Sequence, residues 1–116
     1  MAQLGFIVTS SPHGSSGARS FYLLAAAAME RGHAVKAFFC EDGVYQCLSE
    51  QNPGAGCEYS SADYLNALQD RGAEIVVSSS CMKLRGISSD SLCGVKYGTY
   101  DVLRRLIEDV DKVVCL

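Results

Sequence analysis

Short apolar runs alternate with helical segments along this chain, and that alternation restricts its fold more than any other feature. Four runs have the composition of buried strands, at residues 4–9, 34–40, 73–78 and 111–116. Helices are predicted at 16–31, 61–71 and 99–108, with short helical segments at 44–49 and 81–84 and a loop at 86–98. Strands that alternate with helices favour a parallel sheet. The sequence therefore predicts an α/β fold, a single three-layer domain over 1–116. Its mostly parallel β-sheet is expected to carry helices on both faces, in a flavodoxin-like order.

Composition excludes several classes of function. The chain has 116 residues, of which 48% are hydrophobic and 20% charged, so it can bury one core. Its net charge is -3 and its basic residues are scattered, which argues against nucleic-acid binding. No apolar run approaches the ~20 residues that cross a bilayer, and no signal-peptide pattern opens the sequence. We therefore expect a cytoplasmic protein that does not associate with membranes.

Six cysteines require an explanation, at positions 40, 47, 57, 81, 93 and 115. None is paired at C-x-x-C spacing, and the two histidines, His13 and His33, are far apart in the sequence, so neither a metal site nor a disulfide framework is predicted. Three cysteines in apolar surroundings, at 40, 47 and 115, are expected to be core residues. Cys57 is expected to be an exposed loop thiol without a role. Cys93 lies in a polar segment, and a resolving thiol is one interpretation of it.

The segment Ser78 to Gly86 carries the strongest chemical signal. Cys81 follows a predicted buried strand at the point where a helix should begin, and the free backbone N–H groups there favour an anion. Lys83 and Arg85 add positive potential, so the thiolate should form more readily than usual. Only three residues separate Cys81 from Arg85, which is too short for a phosphatase loop. The alternative is that Cys81 is a packed core cysteine.

Cys81-Met82-Lys83-Leu84-Arg85-Gly86 resembles the C-x-x-x-R-G signature of the DsrE/YchN-like sulfur-relay family, which includes TusD-like subunits. Residues 11–14, 32–45 and 111–114 resemble further stretches of that family in the same order. Two departures stand out. TusD itself spaces its cysteine further from the Arg-Gly pair, and many YchN-like members have a second cysteine where this chain has Ser78.

The resemblance implies a DsrE-like domain in which Cys81 accepts sulfane sulfur as a persulfide and relays it to a partner thiol, without a cofactor. It also implies TusA-like donors, DsrC-like acceptors and a homo- or heteromeric trimer or hexamer. Sulfur oxidation, sulfur reduction and tRNA thiolation all fit such a carrier. Whether the protein turns over as a sulfurtransferase or only shuttles sulfur stays open.

Four further residues are candidates for substrate binding or thiolate stabilisation. Arg85 either screens the thiolate or is a surface arginine, and Lys83 is either a second charge or simply solvated. His13, in the first loop, and Tyr45, in the turn after the second strand, are expected near Cys81 because these segments follow parallel strands. Loop structure and packing are the alternative interpretations of those two. Gly86 is expected to adopt a positive φ.

Two other functions compete with sulfur relay. The Gly- and Ser-rich stretch from Ser10 to Gly17 joins a strand to a helix, a geometry that can bind the phosphate of a nucleotide such as FMN. It lacks the lysine of a P-loop and a full G-x-G-x-x-G pattern. A non-catalytic assembly subunit is the other alternative, with Leu92, Tyr97 and Tyr100 as conjectured contacts.

Overall fold

The computed structural model describes residues 1–13, 16–51 and 60–116. Its strands are β1 Gln3–Val8, β2 Ala34–Phe39, β3 Glu74–Ser78, β4 Lys96–Gly98 and β5 Lys112–Cys115. Its α-helices are α1 Gly17–Glu30, α2 Ser61–Asp70, α3 Ser79–Leu84 and α4 Tyr100–Asp109, with 3₁₀ helices at Glu41–Cys47 and Ser89–Ser91. Within these ranges, no helix has the length and apolar character that crossing a bilayer requires.

The five strands form one sheet in the order β4-β3-β2-β1-β5, and every neighbouring pair is parallel. The predicted α/β fold with a parallel sheet is confirmed. The flavodoxin-like order is corrected, because that order places the first strand between the second and third. Here the chain steps outward from β1 to β4, and β5 then returns to the free side of β1. Strand composition does not encode this order, since it depends on the direction of each crossover.

Helices cover both faces of the sheet, as predicted. On one face, the ring of Phe21 from α1 meets the rings of Phe6 and Phe39 edge to face, with centroids 5.2 Å apart in both pairs. On the other face, α4 lies so close to β1 that a Cβ at Gly5 would be 2.8 Å from the Leu106 side chain. Right-handed crossovers explain this division, because the return from β4 to β5 runs opposite to the earlier steps.

The largest difference from the predicted elements lies in residues 86–98, which were expected to form a loop. This segment contains the short 3₁₀ helix Ser89–Ser91 and the edge strand β4. Lys96 and Tyr97 of β4 are both exposed, so the strand has no apolar run to reveal it. Cys115 is another correction, because it is exposed rather than part of the core. It lies on β5, the opposite edge strand.

Candidate functional site

Cys81 lies at the carboxyl edge of the sheet, where β3 passes into α3 without a loop. Ser78 is both the last residue of β3 and the N-cap of α3, and its Oγ accepts the N–H of Cys81 at 3.3 Å. Serine is a preferred N-cap residue because its oxygen satisfies an N–H that the helix leaves free. This cap fixes the start of α3 and holds the Cys81 side chain in a site that is only 6% exposed.

Two donors from other segments meet the Cys81 sulfur. The backbone N–H of Glu41, just after β2, donates to Sγ at 3.2 Å. The hydroxyl of Tyr100, the first residue of α4, lies 3.4 Å from Sγ and donates when the sulfur is ionised. The site is therefore assembled from the end of β2, the start of α3 and the start of α4.

Glu41 has a backbone conformation that L-residues rarely adopt. Its φ is 53°, and it is the one non-glycine residue with positive φ in the described ranges. Such a conformation costs roughly 1–3 kcal/mol and persists where the surrounding structure requires it. Here it accompanies the N–H that donates to Cys81, so the strained residue belongs to the candidate site.

This strain predicts an unusual order of stability for variants at position 41. Glu41→Gly should be more stable than Glu41→Ala by about 1 kcal/mol, because only glycine adopts positive φ without a steric cost. Chemical denaturation of the two variants measures the difference. At the exposed helical position Arg104 the order should reverse, since alanine is favoured inside helices. An alanine variant at 41 as stable as the glycine variant would contradict the assignment of strain.

The surroundings of Cys81 favour its thiolate. Burial is the largest single influence and raises the pKa. The Ser78 and Tyr100 hydroxyls, the Glu41 N–H and the charge of Arg85 together outweigh burial, so the pKa of Cys81 falls below the ordinary 9.0. The pKa of Tyr100 is raised, chiefly because ionisation would remove the hydrogen bond to Cys81. As the pH rises, Cys81 therefore ionises before Tyr100, and the thiolate lies beside a protonated tyrosine.

Arg85 is held in place at the end of α3. Its Nη1 donates to the carbonyl of Cys81 at 3.3 Å, and its Nε and Nη2 contact Oδ1 of Asp42 at 3.2 and 3.1 Å. The guanidinium therefore caps the helix and also lowers the pKa of the thiol. Gly86, directly after it, has a φ of +68°, as predicted.

The other three predicted site residues occupy exposed positions. Lys83 is exposed on α3, Tyr45 is exposed on the 3₁₀ helix Glu41–Cys47, and His13 is exposed in the loop after β1. Among the described groups that hydrogen-bond to Cys81 Sγ, none comes from these three side chains. Their predicted roles in binding a substrate remain predictions.

Cys40 provides an internal comparison for Cys81. It follows β2 and is 6% exposed, the same fraction as Cys81. Burial, with a smaller contribution from the Cys81 charge, raises the pKa of Cys40 to about 11. The two thiols have the same exposed fraction but opposite pKa shifts, because burial dominates at Cys40 and hydrogen-bond donors outweigh it at Cys81. At neutral pH, Cys40 is a neutral thiol.

Sequence reasoning missed the two groups that contact the sulfur. The Glu41 donor is a backbone group and has no residue signature, although its position after a strand was visible. Tyr100 was considered only as a subunit contact, and it is half exposed. One available signal was the serine three residues before Cys81, which is the spacing of an N-cap.

Removal of the Tyr100 hydroxyl should weaken the thiolate. In Tyr100→Phe the ring remains, but one donor to Sγ is lost, so the pKa of Cys81 should rise. We expect alkylation of Cys81 at neutral pH to slow about threefold to tenfold, since one hydrogen bond to a charged group is lost. The rate of iodoacetamide labelling as a function of pH measures this. Tyr97→Phe, at an exposed tyrosine three residues earlier, is the matched control and should leave the pH dependence of labelling unchanged.

A comparison with protein families matches residues 2–116 to the DsrE/DsrF-like family. The chain belongs to the DsrE/DsrF-like family. It is 33% identical over 109 residues to an uncharacterized protein of Methanocaldococcus jannaschii, covering 93% of this chain and 94% of that protein. It is also 44% identical over 57 residues to protein TusC of Klebsiella pneumoniae, covering 47% of this chain and 46% of TusC.

Solved structures agree with this membership. The crystal structure of the ychN protein from E. coli superposes with a TM-score of 0.90 at 28% identity, and the match covers all of both chains. A protein from Methanobacterium thermoautotrophicum shares the fold with a TM-score of 0.77 at 14% identity, again over the full length of both chains. Together with the family match, TusC and the ychN protein support a role in sulfur relay in general terms.

The described residues add little support for the alternative functions. The hydroxyl of Ser10, at the start of the proposed phosphate loop, donates to the backbone carbonyl of Leu116. Gly14 and Ser15 lie outside the described residues, as does Cys57. Among the residues that the structure describes, no group of three or more His, Cys, Asp or Glu side chains could hold a metal ion.

Proposed function

We propose that Cys81 accepts sulfane sulfur as a persulfide and passes it to a cysteine of a partner protein. The observation that carries this proposal is the pair of donors on Sγ, the Glu41 N–H at 3.2 Å and the Tyr100 hydroxyl at 3.4 Å. A sulfur carrier needs a thiol that ionises near neutral pH, because the thiolate is the nucleophile. Membership of the DsrE/DsrF-like family supports the same chemistry.

The transfer requires two displacement reactions at sulfur. The Cys81 thiolate attacks the outer sulfur of a donor persulfide R–S–SH, the donor S–S bond breaks, and R–S⁻ leaves. An acceptor thiolate then attacks the outer sulfur of Cys81–S–SH and releases the Cys81 thiolate. The donors on Sγ serve this second step, because a more stable thiolate is a better leaving group.

The partners should be proteins that present a cysteine to this edge of the sheet. Cys81 is 6% exposed, whereas Tyr100 beside it is 50% exposed, so a partner thiol must approach next to the tyrosine. From the resemblance we expect TusA-like donors, DsrC-like acceptors and a trimeric or hexameric assembly, in the cytoplasm. The exposed ring of Tyr97 lies three residues before Tyr100 and is available for such a contact.

Sulfur loading with peptide mapping tests the proposal. The reduced protein is incubated with a low-molecular-weight persulfide, and free thiols are then blocked. Cleavage after Lys, Arg and Glu places each of the six cysteines on its own peptide. We expect one added sulfur atom on the Cys81 peptide, removable by excess thiol. Loading spread over exposed cysteines, with none on Cys81, would contradict the proposal.

A further inference from the structure

A second pair of cysteines is brought together by the fold, away from Cys81. Cys47 is the last residue of the 3₁₀ helix Glu41–Cys47, and Cys93 lies in the segment that leads to β4. Leu48 and Leu92 form an isolated antiparallel bridge between these segments. The N–H of Cys93 donates to the carbonyl of Cys47 at 2.8 Å, and the N–H of Ser49 donates to the carbonyl of Ser91 at 2.8 Å.

This register places Cys47 directly opposite Cys93. In a regular antiparallel ladder, residues opposed in this way have Cα atoms about 5.5 Å apart. Disulfides form between Cα atoms about 4.4–6.8 Å apart. The charge of the Cys93 thiolate also adds to burial in raising the pKa of Cys47.

The two cysteines differ in access, which gives the pair an order of reaction. Cys47 is fully buried in the core, whereas Cys93 is partly exposed and packs against the core. A cavity of about 330 Å³ borders the bridge and is lined by Leu48, Ser49 and Ser91 among others. Solvent in this cavity reaches Leu48 of the bridge, and neither cysteine lines the cavity. A reagent meets Cys93 first, and Cys47 is the thiol placed to react next.

We propose that Cys47 and Cys93 are a redox-active pair that closes into a disulfide by exchange with a low-molecular-weight disulfide. The Cys93 thiolate attacks a sulfur of R–S–S–R, and R–S⁻ leaves as the mixed disulfide Cys93–S–S–R forms. The Cys47 thiol then attacks the Cys93 sulfur while its proton passes to the departing sulfur, and the second thiol R–SH leaves. The protein loses two protons and two electrons, and R–S–S–R is reduced to two thiols.

The location gives this cross-link a consequence for the rest of the molecule. Cys47 ends the 3₁₀ helix that begins with Glu41, and Cys93 precedes β4, which leads to Tyr100. These are the two segments that supply the donors of Cys81. The disulfide joins them covalently, so its formation should slow the opening of both. The cross-link itself needs no sulfur-relay activity, and it goes beyond the function proposed above.

The test uses the Cys81→Ser variant, so that Cys81 cannot take part in exchange. The protein is incubated with oxidised glutathione, and free thiols are then blocked with N-ethylmaleimide. The protein is cleaved after Lys, Arg and Glu. We expect one linked pair of peptides, containing Cys47 and Cys93. The link should disappear after adding Cys47→Ala or Cys93→Ser, and persist after adding Cys40→Ser, which alters another buried cysteine.

Two results would overturn the proposal. One is glutathione that stays on Cys93 as a stable mixed disulfide without a link to Cys47. The other is a disulfide from Cys93 to any different cysteine. A linked Cys47–Cys93 peptide in the Cys81→Ser protein supports the proposal even if the protein that also carries Cys47→Ala fails to fold. Failure here leaves sulfur loading on Cys81 untouched, because that reaction is measured on a different peptide.

Discussion

Cys81→Ser is expected to abolish sulfur loading of the protein by a low-molecular-weight persulfide. Serine is nearly isosteric with cysteine and keeps the cap and the two donors in place, but its hydroxyl neither ionises near neutral pH nor forms a persulfide. Intact mass after incubation with the persulfide measures the loss. The loading rate of the unsubstituted protein should rise with pH and level off below pH 9.0, because the pKa of Cys81 is lowered from that value.

Two other cysteine variants are controls for this result. Cys115→Ser removes an exposed thiol and Cys40→Ser removes a buried one with a pKa of about 11. Both should load sulfur to the same extent as the unsubstituted protein. If Cys81→Ser loads as fully as the controls, the carrier is another residue and the proposed function is wrong.

Phe21→Ala should lower the free energy of unfolding by about 3–5 kcal/mol, the usual cost of deleting a buried aromatic ring. Phe21 has no exposed surface, and its ring meets both Phe6 and Phe39 with centroids 5.2 Å apart. Those contacts join α1 to the neighbouring strands β1 and β2, so the cavity would lie within the core. Chemical denaturation monitored by circular dichroism measures the loss.

Leu23→Ala is the matched control, two residues further along the same helix. Leu23 is 51% exposed, so its truncation should change the free energy of unfolding by no more than about 0.5–1 kcal/mol. Equal losses in the two variants would mean that the helix face packed on the sheet has been misassigned. A small loss in Phe21→Ala alone would mean that neighbouring side chains fill the cavity.

The sequence predicted those elements that carry a continuous apolar run. Strands β1, β2, β3 and β5 were found in this way. Both ends of α1 and the C-terminal end of α2 differ from the predicted bounds by one residue. β4 was missed because Lys96 and Tyr97 are exposed and the strand has only three residues. The strand order was wrong because composition describes each strand separately, whereas order is a property of the connections.

The sequence indicated Cys81 and Arg85 as candidate residues, but it did not indicate the groups that surround the sulfur. Cys81 and Arg85 lie in one short segment, so their spacing is visible in the sequence. Tyr100 is 19 residues from Cys81 in the sequence, and it reaches the sulfur only because α4 begins at the same edge of the sheet. The Glu41 donor is a backbone group, and no side-chain pattern reports where an N–H points.

The position of β5 beside β1 also bears on how the chain folds during synthesis. The contact between Gln3 and Asp111 joins residues 108 positions apart, and β1 cannot pair on this side before the last strand exists. At ordinary translation rates, β1 therefore waits roughly 5–20 s with one edge open. An open edge strand is a template for pairing between nascent chains. Aggregation during expression should accordingly be more sensitive to substitutions in Lys112–Cys115 than the small burial of that strand suggests.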